Sequence, residues 1–354
     1  MLKFIVSKRY HIKNRGKVMA FNIETLDKDK NIDLITIYDD YSEIKFTNFG
    51  MRIVDWKVNG KSIVLGPNAQ DDLIQYYEEN PYFFGATIGR YGGRIDGGKF
   101  ELNGQMYELE QNDSEHNLHG GSNGLHTQIC DYEIINEDEA VTIIYNAELL
   151  SKNDHFPGDI QIKVFHRYDL SKMEWTINYE ATSTEDTLFN PMNHVYFNLN
   201  NVEQRIDNHE IKNENLQMYT LNDKQIVENE ETVNLNETID KKYLSFKDIF
   251  ESGLDQIEKY NGIDHPIKIN EDTFTVTNGE MEVSMTTDND VVVLFTLNEV
   301  DWNDSKNSIV EHGGFTLEAQ SIPDDIHLYG EKAPSILRKG KTYKSETSYK
   351  VNVI

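Results

Sequence analysis

The chain has 354 residues and carries 61 Asp and Glu against 34 Lys and Arg, which gives a net charge of -27. Such a surface repels phosphate groups, which argues against binding to nucleic acid and against docking on an anionic membrane. The single cysteine, Cys130, excludes an intrachain disulfide and a thiolate zinc site, and it fits a reducing, cytoplasmic location. The length allows one large domain or two ordinary ones.

Residues 1–18 are basic and differ in composition from the rest of the chain. Their apolar run, Phe4–Val6, is too short for the core of a signal peptide. No stretch of the sequence approaches the roughly 20 apolar residues that a membrane helix needs. We therefore predict an N-terminal extension over residues 1–18, with Met19 as an alternative start, and a single domain over residues 19–354.

From Ile32 onward, short strand-like runs are separated by turn residues. Arg52–Val58 and Lys61–Leu65 flank Asn59–Gly60, a dipeptide that is typical of tight hairpin turns. The same signal recurs at Asn103–Gly104. Both positions predict an antiparallel hairpin.

The second half of the chain continues this pattern. Ile160–Val164 and Trp175–Ala181 alternate in polarity, and Val291–Leu297 is an apolar run of the kind found in strands buried on both faces. Lys247–Tyr260 is the best helix candidate, and the polar, acidic residues 222–242 predict a solvated excursion. Many short strands without alternating helices predict an all-β fold, either an antiparallel sandwich or a barrel.

The densest glycine segment, Gly85–Gly98, is followed by a predicted hairpin. A phosphate-binding loop would instead lead into a helix and end in Lys-Ser or Lys-Thr. We therefore predict a tight loop that presents polar side chains. Its two arginines, Arg90 and Arg94, could each donate hydrogen bonds to a ligand or form a structural salt bridge.

A cluster of histidines follows this loop. His119 stands directly before Gly120–Gly121, where the absence of side chains allows a ligand to approach closely. His116 and His126 are near in sequence, but without a third ligand they are a weak metal signal. The sequence therefore favours a binding role for His119 over a metal site.

Three further ionisable residues attract interest. His194 lies in the predicted strand Asn190–Leu199, and an imidazole can exchange a proton near neutral pH. Asp264 lies in a polar turn before a strand, and Glu318 lies on the polar face of the strand candidate Gly313–Gln320. Taken singly, each has an ordinary structural explanation as a hydrogen-bonded histidine, a turn residue or a solvated acid.

Taken together, five segments resemble the aldose 1-epimerase (galactose mutarotase) family in order and spacing: FGATIGRYGGRIDGGKF, NLHGG, NPMNHVYFNL, GIDHPIKI and GFTLEAQSIPDD. The resemblance covers about residues 30–352. It implies a large antiparallel β-sandwich, a galactose mutarotase-like supersandwich with few short helices. This agrees with the strand pattern described above.

The resemblance also implies roles for particular residues. His194 matches the general acid and Glu318 the general base, while Arg94, His119 and Asp264 match residues that hold the sugar hydroxyls and ring oxygen. Members of the family interconvert the α and β anomers of free aldoses such as galactose or glucose by opening and reclosing the ring. The implied partner is a monosaccharide in hexose or galactose metabolism, without a metal or organic cofactor. A monomer and a homodimer are both open.

Departures from the family pattern affect the predicted sugar-binding rim. Gly93 stands where asparagine is common, GLHTQIC replaces GFDKxxW after NLHGG, and Asp288 and Asn289 occur where a glutamine is usual. The preferred substrate could thus differ from galactose or glucose. Two alternatives remain: an epimerase for phosphorylated hexoses, which the acidic, arginine-poor chain disfavours, and a carbohydrate-binding or regulatory protein without turnover.

Overall fold

The structure is a computed structural model that describes residues 7–14, 17–67, 72–79, 82–200, 202–300 and 309–354. Of the predicted N-terminal extension, residues 1–6 and 15–16 lie outside the described residues. The remainder forms the strand Ser7–Asn14 and the start of its partner Lys17–Asp27, which contains Met19. The division between extension and domain stays a prediction.

Three antiparallel sheets account for most of the strands. The six-stranded sheet has the order Ser7–Asn14, Lys17–Asp27, Ile32–Tyr38, Ser42–Thr47, Arg52–Val58, Lys61–Ser62. The nine-stranded sheet has the order Asp131–Asn136, Ala140–Leu149, Ile160–Asp169, Glu174–Ser183, Tyr343–Val353, Met281–Thr287, Phe274–Thr277, Glu210–Ile211, Leu244–Ser245. The five-stranded sheet has the order Thr232–Asn234, Gln217–Tyr219, Asp264–Lys268, Val291–Phe295, Glu318–Gln320.

Short strand pairs and short helices complete the described chain. The pairs are Thr87–Ile88 with Met192–Asn193, Arg94–Ile95 with Asn117–Leu118, Lys99–Leu102 with Gln105–Glu108, Thr187–Leu188 with Ile336–Leu337, and Tyr196–Phe197 with Phe315–Thr316. The α-helices are Leu73–Glu79, Ser151–Asp154, Leu235–Ile239, Phe246–Phe250, Asp255–Lys259 and Asp325–Tyr329, and the 3-10 helices are Asp96–Gly98, Leu125–Thr127 and Gly330–Lys332. None of these described helices has the length and apolar character needed to cross a membrane.

The six-stranded and nine-stranded sheets bury their apolar faces in one common core. At its centre the rings of Trp56 and Trp175, one from each sheet, lie 6.3 Å apart in an edge-to-face contact. The indole N–H of Trp56 also donates to the hydroxyl of Tyr168 at 3.2 Å, so the buried polar atom is satisfied. The predicted antiparallel β-sandwich is therefore confirmed.

The five-stranded sheet separates this core from a cleft by simple strand alternation. Ile267 and Ala319 belong to the core cluster, whereas their neighbours Pro266 and Glu318 line the cleft on the opposite face. Pro266, Val293 and Glu318 lie side by side in register across three strands. The sheet thus presents a row of side chains to the cleft floor.

Both predicted Asn-Gly hairpins are confirmed. Asn59–Gly60 joins Arg52–Val58 to Lys61–Ser62, with φ angles of 50° and 79° at the two turn residues. Asn103–Gly104 joins the second pair. Positive φ at both central residues matches the twist of the flanking strands, which is why this dipeptide is a dependable hairpin signal.

The other strand predictions in the second half are also confirmed. The two alternating stretches lie in the neighbouring strands Ile160–Asp169 and Glu174–Ser183. The apolar run forms Val291–Phe295, and its first four residues are buried. These strands lie inside their sheets, which explains their strong apolar character.

The single helix predicted over Lys247–Tyr260 is wrong. Two short helices, Phe246–Phe250 and Asp255–Lys259, occupy this region. Gly253 lies between them with a φ of 69°, a left-handed conformation that cannot continue a right-handed helix. A conformational break at one glycine therefore divides the predicted element.

Candidate functional site

The cleft above the five-stranded sheet encloses about 850 Å³ of space, part of which is open solvent. Its mixed polar and apolar lining is typical of a site for a small molecule. Its floor consists of alternate residues from three adjacent strands, so polar and apolar groups lie side by side. These floor residues are Asp264, Pro266, Val293, Phe295, Glu318 and Gln320. The walls come from the loops that surround the sheet.

Two residues that are distant in sequence meet at this floor. The Nε2 atom of His194 lies 3.4 Å from the Oε1 atom of Glu318. His194 is only 5% exposed and Glu318 only 3%, so both are largely shielded from water. This separation is slightly longer than a hydrogen bond, and it leaves both groups placed to exchange protons with a substrate bound against them.

An interruption in the predicted strand Asn190–Leu199 positions His194. The segment forms two two-residue strands, Met192–Asn193 and Tyr196–Phe197, and His194 lies between them. The backbone N–H of His194 donates to the carbonyl of Ala86 at 2.8 Å, which anchors the interruption. The prediction of one continuous strand is therefore wrong, because loop contacts replace the strand ladder at this histidine.

Aromatic rings surround the imidazole of His194. Its ring centroid lies 5.8 Å from that of Phe83, 5.0 Å from that of Tyr196 and 5.3 Å from that of His119. Its Nδ1 atom has no hydrogen-bond partner among the described residues. Burial in these surroundings lowers the pKa of His194 to about 3, because an imidazolium would be poorly solvated there.

Burial has the opposite effect on the acid. It raises the pKa of Glu318 to about 8; the hydroxyl of Thr316 opposes this increase, and the nearby charge of Asp264 adds to it. Across neutral pH Glu318 therefore holds a proton while the ring of His194 is neutral, so the two residues together carry one proton.

His119 stands beside this pair as a neutral hydrogen-bond donor. Its φ of 56° is left-handed, and it exchanges two contacts with Gly93. The N–H of Gly93 donates to Nδ1 of His119 at 3.1 Å, and the N–H of His119 donates to the carbonyl of Gly93 at 3.1 Å. Burial holds the pKa of His119 well below its usual value, so the ring is neutral. Because Nδ1 accepts a hydrogen bond, Nε2 carries the ring proton.

Arg94 and Asp264 supply opposite charges to the same cleft. The Nε of Arg94 donates to Oδ2 of Asp113 at 2.7 Å, which fixes the guanidinium group at the rim. Burial raises the pKa of Asp264, the charge of Arg94 opposes this increase, and the charge of Asp113 adds to it. The cleft thus combines donors and an acceptor suited to hydroxyl groups.

The acidic segment over residues 222–242 is not simply a solvated excursion, and this prediction is corrected. Gln225, Ile226 and Val227 line the cleft, and the last two are buried. Val227 also packs in an apolar cluster with Tyr219. Two adjacent apolar residues within a polar segment explain the difference, because burying them folds the start of the segment onto the site.

The five residues to which the family resemblance gives roles all line this one cleft: Arg94, His119, His194, Asp264 and Glu318. Arg90 does not. Its guanidinium is buried and binds both carboxylate oxygens of Asp154, at 2.8 and 3.0 Å. Of the two arginines in the glycine-rich segment, Arg90 is therefore structural, and Arg94 is the one at the cleft.

The altered rim residues have different explanations. Gly93 has a φ of 80°, and a Cβ atom there would lie 2.7 Å from the Cβ of Pro323, so an asparagine does not fit the present loop. Asp288 and Asn289 lie in the turn before Val291, where Asp288 accepts from the N–H of Glu346 at 3.0 Å. These two residues are not among the described residues that line the cleft.

One group of possible metal ligands lies near the rim. Asp96, Glu115 and His116 have ligand atoms within 4.8 Å of one another. However, Nδ1 of His116 accepts from the N–H of Gly97 at 3.2 Å, and Glu115 forms an ion pair with Lys224 at 2.7 Å. Because these atoms already have partners in the protein, the group does not resemble a prepared metal site.

The sequence reasoning missed the groups that hold Glu318. Thr316 Oγ1 donates to Oε1 of Glu318 at 3.0 Å, and Gln320 Nε2 donates to Oε2 at 3.4 Å. The alternating spacing of these three residues was the available signal, because it puts them on one strand face.

One family model and several known proteins match this chain over most of its length. A family model described as aldose 1-epimerase matches residues 33–350. The maltose epimerase of Levilactobacillus brevis is 27% identical over 306 residues, which cover 81% of this chain and 85% of that protein. The aldose 1-epimerase of Streptococcus thermophilus is 28% identical over 311 residues, which cover 82% of this chain and 84% of that protein.

Solved structures share the fold. The galactose 1-epimerase from Lactobacillus acidophilus NCFM has a TM-score of 0.81 and 20% identity, with 99% of each chain covered. An aldose epimerase homologue from C. elegans has a TM-score of 0.75 and 21% identity, with 89% of this chain and 96% of that chain covered. The overall fold is therefore common to these proteins.

Proposed function

Because the chain belongs to the aldose 1-epimerase family and is an isomerase, we propose that it interconverts the α and β anomers of free aldoses, with His194 and Glu318 as the proton-transfer residues. The observation that carries this proposal is the 3.4 Å contact between their Nε2 and Oε1 atoms at the floor of a small-molecule cleft. The anomeric hydroxyl and the ring oxygen are attached to the same carbon, so the base and the acid must act close together.

In the proposed reaction Glu318 removes the proton of the C1 hydroxyl while His194 protonates the ring oxygen. The bond between C1 and the ring oxygen breaks, and an open-chain aldehyde forms. Rotation about the C1–C2 bond exposes the other face of the aldehyde, and the two residues reverse their roles when the ring closes. No atom is gained or lost in this cycle.

The shared proton makes this cycle self-consistent. A carboxylate beside an imidazolium holds the same number of protons as a carboxylic acid beside a neutral imidazole. Transfer of one proton between His194 and Glu318, which lie 3.4 Å apart, therefore converts one form to the other. The active state is the pair with one proton.

Three neighbouring residues would bind the sugar. His119, with its proton on Nε2, and the guanidinium of Arg94 donate to hydroxyl groups or to the ring oxygen, and Asp264 accepts from hydroxyl groups. Among the described residues that line the cleft, Arg94 is the one permanent cation, whereas Asp264, Glu318 and Asp324 all bring carboxyl groups. This charge balance favours free aldoses over phosphorylated hexoses.

Polarimetry tests the proposal directly. Freshly dissolved α-galactose, α-glucose and maltose are followed with catalytic amounts of protein, with and without a chelator. We expect acceleration over spontaneous mutarotation in both conditions, and a loss of about 10²–10⁴-fold in Glu318→Gln and in His194→Ala. Glu101→Gln is the matched control, because Glu101 is exposed on a hairpin and lies outside the cleft.

The competing function has a distinct result. If the wild-type rate stays at the spontaneous baseline for all three sugars while calorimetry detects sugar binding, the protein is a carbohydrate-binding protein and the proposal is wrong.

The pH dependence of kcat/KM gives a second view of the same pair. Above the raised pKa of Glu318, about 8, the shared proton is lost and the rate should fall. At low pH the pair takes up a second proton and the rate should fall again; burial places this limb well below neutral, because it lowers the pKa of His194. A flat profile from pH 4 to 9 would contradict the assignment.

A further inference from the structure

We propose that Thr316 and Gln320 are positioning residues that hold the two carboxylate oxygens of Glu318 and so aim its Oε1 atom at His194. This inference rests on the proposed proton-transfer role of Glu318. It extends that role to two residues whose side chains act through Glu318 rather than on the sugar.

The first contact comes from a hydroxyl whose direction is determined by its surroundings. Thr316 is fully buried, and its Oγ1 accepts the backbone N–H of Phe295 at 3.2 Å. Its one proton is then available for Oε1 of Glu318 at 3.0 Å. The same Oε1 faces Nε2 of His194, so this hydroxyl holds the oxygen that exchanges the proton.

The second contact is oriented by a chain of hydrogen bonds that starts at the backbone. The N–H of Ser321 donates to Oδ1 of Asn190 at 2.9 Å, which determines how the Asn190 amide is turned. Nδ2 of Asn190 therefore faces Oε1 of Gln320, at 3.3 Å. This leaves Nε2 of Gln320 facing Oε2 of Glu318, at 3.4 Å. Each amide can point in one sense only without placing two donors or two acceptors together.

The charges around Glu318 make the donors on Thr316 and Gln320 important for its protonation. Among the described residues, the ionisable groups that act on Glu318 are His194, Asp264, Tyr196 and Tyr349, and none of them is a permanent cation. The donors on Thr316 and Gln320 are thus the groups that stabilise a buried carboxylate here. Without them Glu318 should hold its proton more tightly, and its carboxyl group should be free to turn away from His194.

The test compares the alkaline limb of kcat/KM in matched variants. Thr316→Val keeps the side-chain shape but removes the hydroxyl, and we expect the limb to move up by about one to two pH units. Thr316→Ser should restore the wild-type limb. Thr277→Val is the control, because the buried Thr277 hydroxyl donates to the carbonyl of Met281 at 2.7 Å and does not line the cleft. That variant should leave the limb in place.

An independent variant covers the second contact. Gln320→Leu should move the limb in the same direction but by less, because its hydrogen bond is longer. This variant also keeps the inference testable if Thr316→Val does not fold. Asp264→Asn shows whether titration of the neighbouring Asp264 carboxyl group contributes to the alkaline limb.

The results separate the two proposals. If Thr316→Val slows the enzyme but leaves the alkaline limb of kcat/KM in place, Thr316 is merely structural. The same conclusion follows if Thr277→Val moves this limb as far as Thr316→Val does. The carboxylic acid band of Glu318, identified from the infrared difference between wild type and Glu318→Gln, gives the same titration without turnover. If the wild type does not accelerate mutarotation, the proposed function is wrong, while this band still shows whether the two donors control the proton.

Discussion

Two buried carboxyl groups of this protein, those of Asp154 and Glu318, have opposite kinds of partner. Asp154 lies against the guanidinium of Arg90, which donates to both of its oxygens. Glu318 lies against a neutral imidazole, a hydroxyl and an amide. Both acids are almost fully removed from water, so the difference lies in the partners and not in the depth of burial.

The partners decide what each acid can do. Burial raises the pKa of both groups, but for Asp154 the charge and hydrogen bonds of Arg90 oppose that increase. Glu318 has no cation beside it among the described residues, and its pKa rises to about 8. A buried acid with a bidentate arginine contributes to structure, whereas one without a cation can gain and lose a proton near neutral pH.

The largest effect on stability is expected at the buried Arg90–Asp154 pair. Arg90→Met should lower the free energy of unfolding by about 3–5 kcal/mol, because it leaves the Asp154 carboxylate buried without a counter-charge. Arg90 also donates to the carbonyls of Pro157 and Gly158 at 3.0 and 2.8 Å, and these acceptors would lose their partner. Urea unfolding at pH 7 measures the change, and a loss under about 1 kcal/mol would mean that the Arg90–Asp154 pair contributes no more than an exposed salt bridge.

The opposite sign is expected for Glu318→Gln. Because the folded-state pKa of Glu318, about 8, lies above that of an ordinary glutamate, Glu318 favours the folded state most at low pH. This contribution is lost as the pH rises towards 8. The variant should therefore gain stability relative to wild type between about pH 4.5 and pH 8, by on the order of a few kcal/mol at roughly 1.4 kcal/mol per pKa unit.

Urea unfolding of Glu318→Gln and wild type at pH 5, 7 and 9 measures this difference. Titrating groups that do not interact with Glu318 contribute equally to both proteins and cancel. A constant difference at all three pH values would show that Glu318 is not the group with the raised pKa.

The strand pattern predicted a sandwich or a barrel, and the family resemblance favoured the sandwich, but neither predicted this division of roles. The Asn-Gly turns and the alternating strands depend on local geometry, so they could be read directly from the order of residues. Arg90 and Arg94 occur in the same glycine-rich segment, but their positions depend on partners that are distant in sequence. Arg90 pairs with Asp154, and Arg94 pairs with Asp113. Contacts of that kind have no local signature.

The candidate site shows the same limit. Every proposed catalytic and binding residue lies in one of the five segments that resemble a known family. The order of such motifs can be recognised in a sequence even though the contacts between them cannot. The buried state of Glu318 could not be anticipated, since its alternating strand gave it the pattern of a solvated acid. The sequence also did not predict that Gln225–Val227 line the cleft. The two apolar residues of this stretch have polar neighbours, so the whole segment had the pattern of a solvated loop.

The smallest effect on stability is expected at the second arginine. Arg94→Met breaks a pair with Asp113 that is part-exposed, at 21% and 33% of the two side chains, so unfolding should change by less than about 1 kcal/mol. The value of kcat/KM should nevertheless fall by about 10- to 150-fold, because a charged donor to the sugar is removed.

The same substitution four residues apart should therefore destabilise the fold in one case and weaken catalysis in the other. A loss confined to KM would mean that Arg94 holds hydroxyl groups equally in the ground and transition states, and a loss in kcat would mean that it stabilises charge on the ring oxygen. If Arg94→Met instead destabilises the fold as much as Arg90→Met and leaves kcat/KM of the folded protein intact, then both arginines are structural. The binding role proposed for Arg94 would then be wrong.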